Sequence, residues 1–153
     1  MRTYLVVMDE TREAECALHY AARRAARTGG TVEILAVVPP QEFVEWGGVQ
    51  AAMEEEARLR TEARVVAASG AIVEEAGIRP SITVRQGTAV RAVADFLKER
   101  ENISALVLAA AVEGGGPGPL VTHFSGAAVA SLTCPLIIVP GRLDDAALDR
   151  LTA

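Results

Sequence analysis

The stretch Tyr4-Leu5-Val6-Val7-Met8 decides the fold class, because all five residues are apolar and the run stops at Asp9. A strand with one solvent-exposed face would alternate apolar and polar residues, whereas a strand covered on both faces does not. The stretch therefore predicts a central strand of a parallel sheet.

Four more strand signals follow it, at residues 31–38, 81–85, 105–109 and 136–139. Helical periodicity separates the strands, with helices predicted from Asp9 or Thr11 to Gly29, over 50–76, from Thr88 onward, and over about 124–132. The predicted core-facing positions are Ala14, Ala17, Leu18, Ala21, Ala22 and Ala25 in the first helix, Leu59, Ala63, Val66, Ala67 and Val73 in the second, and Val90, Val93, Ala94 and Leu97 in the third.

Strands that alternate with helices of this length need crossover connections, which force a mainly parallel sheet with helices on both faces. We therefore predict an α/β fold, with a five-stranded sheet in a Rossmann-like three-layer sandwich. Residues 1–141 form the predicted domain, and 142–153 a short helical tail with Asp144 as its cap. The tail either packs back on the domain or offers a partner surface. Residues 41–49 are predicted to be a loop anchored by Phe43, Val44 and Trp46.

Composition excludes several classes of function. The chain has 153 residues, with 15 Lys+Arg against 20 Asp+Glu and a net charge of -5, so we expect no nucleic-acid partner. No stretch reaches the roughly 20 apolar residues of a membrane span, and no leader pattern is visible, so a cytoplasmic protein with no membrane partner is expected. Cys16 and Cys134 are far apart without metal-ligand spacing, which predicts neither a disulfide nor a metal site.

The predicted loops at the strand ends exclude two classes of nucleotide-binding motif. A phosphate loop of the form GxxxxGK(S/T) is absent, since Lys98 is the only lysine and lies in a predicted helix, and no GxGxxG follows the first strand. The glycine-rich run Gly114-Gly115-Gly116-Pro117-Gly118-Pro119 lies between the fourth strand and a helix instead. Such a run is either a solvent loop or a cradle of backbone amides for an anion.

This layout resembles the universal stress protein (UspA-type) family over residues 4–139. The resemblance is carried by Leu5-Val6-Val7-Met8-Asp9, by Ile34-Leu35-Ala36-Val37-Val38 and by Cys134-Pro135 followed by the last strand. It implies a five-stranded parallel sheet of the adenine nucleotide alpha hydrolase-like kind. It also implies a homodimer paired through Leu136, Ile137, Ile138 and Val139, which would cover an apolar sheet edge.

In ATP-binding members the fourth strand is followed by Gly, two residues, Gly, nine residues and Gly-Ser or Gly-Thr. An ungapped register places Ala109 and Val112 on the two single glycines and Thr122-His123 on the final pair, so every glycine of the motif is replaced. The resemblance also puts Asp9 near the ribose and Val38 near the adenine. A β-branched residue at Val112 would resist positive φ at a cost of roughly 1–2 kcal/mol.

Two compensations remain open. Gly114, Gly115, Gly116 and Gly118 would form a shifted anion cradle, with Thr122 as the N-cap of the next helix and a hydroxyl donor. His123 is either a packing residue or, as imidazolium below about pH 6.5, a phosphate partner.

Three functional hypotheses follow. The first is a homodimeric regulatory or interaction module without ordinary ATP binding, with an unidentified protein partner. The second is an adenine-nucleotide binder that takes ATP with Mg²⁺ through the shifted loop. An enzyme has little support beyond slow ATP hydrolysis, because no Ser/His/Asp or Cys/His arrangement stands out.

Overall fold

The computed structural model of the chain describes residues 1–40 and 47–153. The predicted loop anchors Phe43, Val44 and Trp46 lie outside the described residues. Helix already begins at Gly47, so the prediction of a loop as far as residue 49 is wrong at its end.

The prediction of a five-stranded parallel sheet is confirmed. The strands are β1 Thr3–Met8, β2 Thr31–Val38, β3 Ser81–Gln86, β4 Ala105–Ala110 and β5 Leu136–Pro140. They are ordered β3-β2-β1-β4-β5, and all neighbouring strands are parallel. β1 is central and buried at all six positions, and five of them form the apolar run Tyr4–Met8 that predicts a central strand.

Helices cover both faces of the sheet. They are α1 Ala14–Thr28, α2 Gly47–Ala76, α3 Ala89–Glu99, α4 Pro119–Ser125 and α5 Asp145–Leu151, with a 3₁₀ helix at Ala127–Ser131. Val6 and Met8 face a core formed with α1, α2 and α5, whereas Leu5 and Val7 face a second core formed with α3 and α4. The alternation of β1 side chains between two helical layers produces the three-layer sandwich.

The apolar face of α1 is confirmed, since all six predicted positions are buried. Five of them are alanine, which lets the helix approach the sheet closely. Gly29 ends the helix at φ 66, as predicted. The predicted cap is wrong: Glu13 is the N-cap, without a side-chain hydrogen bond, while Asp9 binds Thr11 within the preceding loop.

The predicted core face of α2 is wrong. The buried positions are Ala57, Thr61, Val65, Ala68 and Ile72, whereas Leu59 and Val66 are 54% and 68% exposed. Both sets follow helical spacing, so periodicity does not distinguish them. Ile72 packs in the core that α2 forms with α1 and β1. Contacts with these other elements therefore decide which face of α2 is buried.

The helix predicted at 124–132 starts earlier and breaks. α4 begins at Pro119 and stops at Gly126, after which the chain continues as the 3₁₀ helix. Proline at the first helical position supplies the start signal. At α3 the predicted N-cap Thr88 has the expected extended conformation but makes no side-chain capping bond.

The C-terminal tail packs on α1. Asp144 accepts a hydrogen bond from the Ala147 amide at 2.8 Å, which confirms the predicted cap. Leu148 is 2% exposed in the α1 core. Arg23 of α1 contacts the carboxylate of Asp149 at 2.9 Å and that of Asp145 at 3.5 Å. Packing on the domain is therefore the alternative that the structure adopts.

Across the described ranges, no helix combines the length and the apolar composition needed to cross a bilayer.

Candidate functional site

The strand order directs attention to the carboxyl ends of β1 and β4. Chain connection reverses between these two strands, and ligands of open α/β sheets bind at such a switch point. A cleft of about 30 Å³ lies there, between Asp9, Ala109 and the segment 117–119.

Asp9 projects into this cleft, but its carboxylate is already engaged. One carboxylate oxygen accepts hydrogen bonds from the Thr11 amide at 2.9 Å and from the Thr11 hydroxyl. These bonds shape the turn between β1 and α1. A ribose hydroxyl would therefore compete with Thr11 for this oxygen.

The glycine-rich loop divides into two parts. Gly114, Gly115 and Gly116 are exposed, and each would have open space around an added Cβ. Pro117 and Gly118 fold back and line the cleft, because the Ala111 amide donates to the Pro117 carbonyl at 3.0 Å. The part of the loop that reaches the cleft therefore forms one of its walls and leaves only a small space.

The substituted positions of the ATP motif behave differently from one another. Ala109 is half-buried and lines the cleft, whereas Val112 is 40% exposed and lies outside it. The strain expected at Val112 does not arise, since among the described residues only glycines have positive φ. Gly114, Gly115 and Gly118 take these conformations, at φ 90, 76 and 95.

Thr122 and His123 do not line the cleft. Thr122 is not the N-cap of α4, because Gly118 occupies that position and the Thr122 amide bonds to the Gly118 carbonyl at 3.0 Å. His123 packs edge-on against Phe124, with ring centroids 4.8 Å apart, and lines a groove beside α3.

Val38 is also separate from the cleft. It is 3% exposed and lines another groove, of about 180 Å³, with Glu54, Glu55 and Arg58 of α2. The residues that the resemblance assigns to ribose and adenine thus belong to two different concavities in this structure.

The sequence did not reveal an outer groove of about 640 Å³ beside the cleft. It lies between the loops that follow β1, β4 and β5, and its rim carries Arg12, Glu113 and Arg142. Arg12 and Glu113 form a long, exposed ion pair at 3.9 Å. Such an exposed pair contributes little to folding stability, so both side chains remain available to contact a ligand in the outer groove.

Gly141 is the position where the loops after β1, β4 and β5 come into close contact. Its amide donates to the Ala110 carbonyl at 3.1 Å. A Cβ at this position would overlap the Ala110 carbonyl oxygen and lie 3.0 Å from the Glu13 Cβ. The Pro140-Gly141 pair at the end of the last strand was the available sequence signal for this close contact.

The two thiols are outside the cleft. Cys16 lies 3.6 Å from the Pro140 carbonyl oxygen and 3.8 Å from that of Leu143. Burial raises the pKa of both Cys16 and Cys134 above the ordinary value of a cysteine thiol, because it disfavours the charged thiolate. Within the described ranges, no group of three His, Cys, Asp or Glu side chains is placed to hold a metal ion.

The strand-end cleft by itself does not fit ATP in this conformation, because drug-sized ligands occupy pockets of about 300–1,000 Å³ and the cleft has only about 30 Å³. The outer groove beside it, at about 640 Å³, lies within that range. The helix that follows the loop, α4, has only 7 residues, so its macrodipole offers little stabilisation to an anion at the cleft.

Comparison with known proteins agrees with the fold. In solved structures, the chain is similar to the universal stress protein UspA from Lactobacillus plantarum, at 16% identity with 90% of this chain and 97% of that chain covered and a TM-score of 0.77. A universal stress protein family member from Burkholderia pseudomallei is also similar, at 16% identity, coverages of 90% and 95%, and a TM-score of 0.68.

A third similar structure is a universal stress protein in complex with cAMP, at 18% identity, coverages of 90% and 96%, and a TM-score of 0.50. The comparison with curated proteins gives no match. The sequence matches the model of the Universal stress protein family over residues 1–140, which is most of its length. The chain therefore belongs to the universal stress protein family.

Proposed function

We propose that this universal stress protein is a homodimeric regulatory or interaction module that does not bind ATP in the manner of ATP-binding members. The observation that carries the proposal is the small volume of the strand-end cleft. Where a nucleotide would lie, Pro117 and Gly118 contribute lining to a space of about 30 Å³.

Opening this cleft would disturb several contacts together. The loop must withdraw Pro117 and Gly118, which breaks the Ala111–Pro117 hydrogen bond, and Asp9 must release Thr11. Each neutral hydrogen bond contributes about 0.5–1.5 kcal/mol. A ligand would have to offset these losses before showing any affinity, which supports a function that does not depend on ATP.

The proposed dimer uses the β5 edge. Both β3 and β5 are edge strands, and each presents one isoleucine that is 42% exposed, Ile82 on β3 and Ile138 on β5. β3 also carries Ser81, Thr83 and Arg85, whereas β5 consists of Leu-Ile-Ile-Val-Pro. An unpaired apolar edge gains more from being covered than a polar one. We therefore assign the dimer interface to β5. A protein partner would bind this same edge in place of the second copy.

The second candidate function is nucleotide binding through the displaced glycine loop. Two observations favour it: the positive φ angles at Gly114 and Gly115, and the open space around the neighbouring Gly116. Successive amides in such conformations form anion-binding concavities. A universal stress protein of similar fold was solved with cAMP, which makes cAMP a second ligand to test.

Isothermal titration with ATP plus Mg²⁺ at pH 7, and separately with cAMP, decides between the two functions. The proposal predicts no saturable heat at concentrations up to about 1 mM. Micromolar binding that is weakened by Asp9→Ala and by Gly116→Val would establish the second candidate. Gly116→Val is a clean probe, because its Cβ meets open space and its φ is not positive.

The dimer is tested by size-exclusion chromatography with light scattering. Ile138→Asp should yield a monomer, since a buried carboxylate at a pairing edge is costly. The matched control is Ile82→Asp, which changes an equally exposed isoleucine on the other edge strand and should leave the dimer intact. Dissociation by the control alone would move the interface to β3.

A further inference from the structure

A groove of about 270 Å³ lies on the face of the sheet that carries α3 and α4, away from the strand-end cleft. It exists because α4 stops at Gly126 and the chain continues as the 3₁₀ helix Ala127–Ser131. Leu97 of α3 and Phe124 of α4 form an apolar floor, at 6% and 3% exposure, and half-buried Leu132 adds a wall.

The rim of this groove is cationic. Lys98, the only lysine of the chain, lines it. Among the described residues Lys98 makes no ion pair, although the acidic side chains on the same helix do: Asp95 pairs with Arg91 at 3.8 Å, and Glu99 pairs with Arg85. Within the described ranges the ammonium group is therefore not held in an ion pair and is available to a ligand.

His123 lines the same rim. Its ring is held edge-on against Phe124, and within the described part of the chain its ring nitrogens have no hydrogen-bond partner. Thr133 adds a hydroxyl nearby, and the Ser131 hydroxyl donates to the Ala128 carbonyl at 3.0 Å. An ammonium, an imidazole N–H and a hydroxyl are donors suited to one oxyanion.

The charge distribution distinguishes this groove from the others. The strand-end cleft, the outer groove and the groove at Val38 each include carboxylates in their linings: Asp9, Glu113 and Glu54 are examples. The lining of the α3–α4 groove has a lysine and no carboxylate, in a chain with a net charge of -5. Among these four concavities, the lining of the α3–α4 groove is therefore the one that favours an anion.

We propose that the α3–α4 groove binds a small carboxylate with an apolar body, its carboxylate held by Lys98 and His123 and its body on Leu97, Phe124 and Leu132. The volume lies just below the range of about 300–1,000 Å³ for drug-sized ligands, which selects small molecules. This site is independent of the proposed dimer and of nucleotide binding, so failure of either leaves it unchanged.

The test is titration of the full chain with octanoate at pH 7, followed by calorimetry and by amide chemical shifts. We expect saturable binding with a Kd of about 1 mM or lower. The shifted amides should cluster in α3 and in residues 123–133. 1-Octanol, which has the same chain without the carboxylate, should bind at least about tenfold more weakly.

Exposed residues make the variants safe for folding. Lys98→Gln and His123→Gln should each weaken octanoate about tenfold, the loss of one charge-assisted or strong hydrogen bond. Arg142→Gln removes one exposed cation from the outer groove and should leave octanoate binding unchanged. The proposal is overturned by absence of saturation, by equal binding of 1-octanol, by equal effects of Lys98→Gln and Arg142→Gln, or by shifts confined to the strand-end loops.

Discussion

Gly141 is the position where a single methyl group should have the largest effect on the strand-end loops. In Gly141→Ala the new Cβ would overlap the Ala110 carbonyl oxygen, and it would lie 3.0 Å from the Glu13 Cβ and 3.1 Å from a Val112 methyl. The first of these neighbours is backbone, which cannot rotate away as a flexible side chain can. The chain after β5 must therefore shift outward.

The magnitude follows from three terms. Overpacking at a close contact costs about 1–3 kcal/mol, and the shift also weakens the hydrogen bond from the Gly141 amide to the Ala110 carbonyl, a further loss of about 0.5–1.5 kcal/mol. Alanine restricts the unfolded chain, which offsets about 0.4–1 kcal/mol. The net destabilisation is about 2 kcal/mol, which corresponds to a fall in Tm of about 4–8 °C for a chain of this size.

Urea unfolding followed by far-ultraviolet circular dichroism measures this change. The matched control is Gly70→Ala, in the exposed interior of α2, where an added Cβ meets nothing within 4 Å. This control should stabilise the protein by about 0.5–1 kcal/mol through helix propensity. Equal or greater stability of Gly141→Ala relative to the parent chain would refute the argument, because it would mean that the three loops are not in close contact at this position.

Three further outcomes are expected. On α2, Ile72→Ala should cost about 2–5 kcal/mol and Val66→Ala less than about 0.5 kcal/mol in urea unfolding, because only Ile72 leaves a cavity; similar costs would contradict the assigned faces. Arg23→Gln should speed amide exchange in α5 about tenfold while α3 exchanges as before, because it removes contacts to two tail carboxylates; unchanged exchange in α5 would show that Leu148 alone holds the tail. Burial raises the pKa of the Cys16 and Cys134 thiols, so their contribution to folding stability is complete below the unfolded pKa of about 8.5 and is lost as pH rises through the higher folded pKa. Labelling of these thiols by disulfide exchange at pH 8 should therefore be slower than labelling of a free thiol. Equally fast labelling would contradict the raised pKa values.

The strands were the most predictable part of the fold. β2 has the predicted bounds, and β1 needed only one added residue, Thr3, because strands buried on both faces are rich in apolar and β-branched residues. One buried acidic residue, Glu33, did not obscure this pattern. The face of α1 was equally clear, since its alanines and Leu18 form one apolar stripe. α2 was not, because Leu59 and Val66 on one face compete with Val65 and Ile72 on the other, and hydrophobicity alone does not choose between them.

The candidate site was predicted in part. The sequence located the loops after β1 and β4 and showed that Ala109 and Val112 replace glycines of the ATP motif. It gave no sign that Pro117 and Gly118 turn back into the cleft, since that path depends on the hydrogen bond between the Ala111 amide and the Pro117 carbonyl. The placement of His123 and Lys98 on the same groove also depended on the break at Gly126, which periodicity did not reveal.

The sequence by itself determined the order of strands and helices, the parallel sheet and the family, because these depend on local patterns of apolar residues, glycine and proline. Only the tertiary structure decided which face of α2 is buried, how far the cleft between β1 and β4 is filled, and where His123 lies. The physical reason is the distance along the chain over which each effect acts. Periodicity acts over one turn of helix or two residues of strand, whereas packing and cleft volume depend on residues such as Asp9, Ala109 and Pro117 that meet only after the chain has folded.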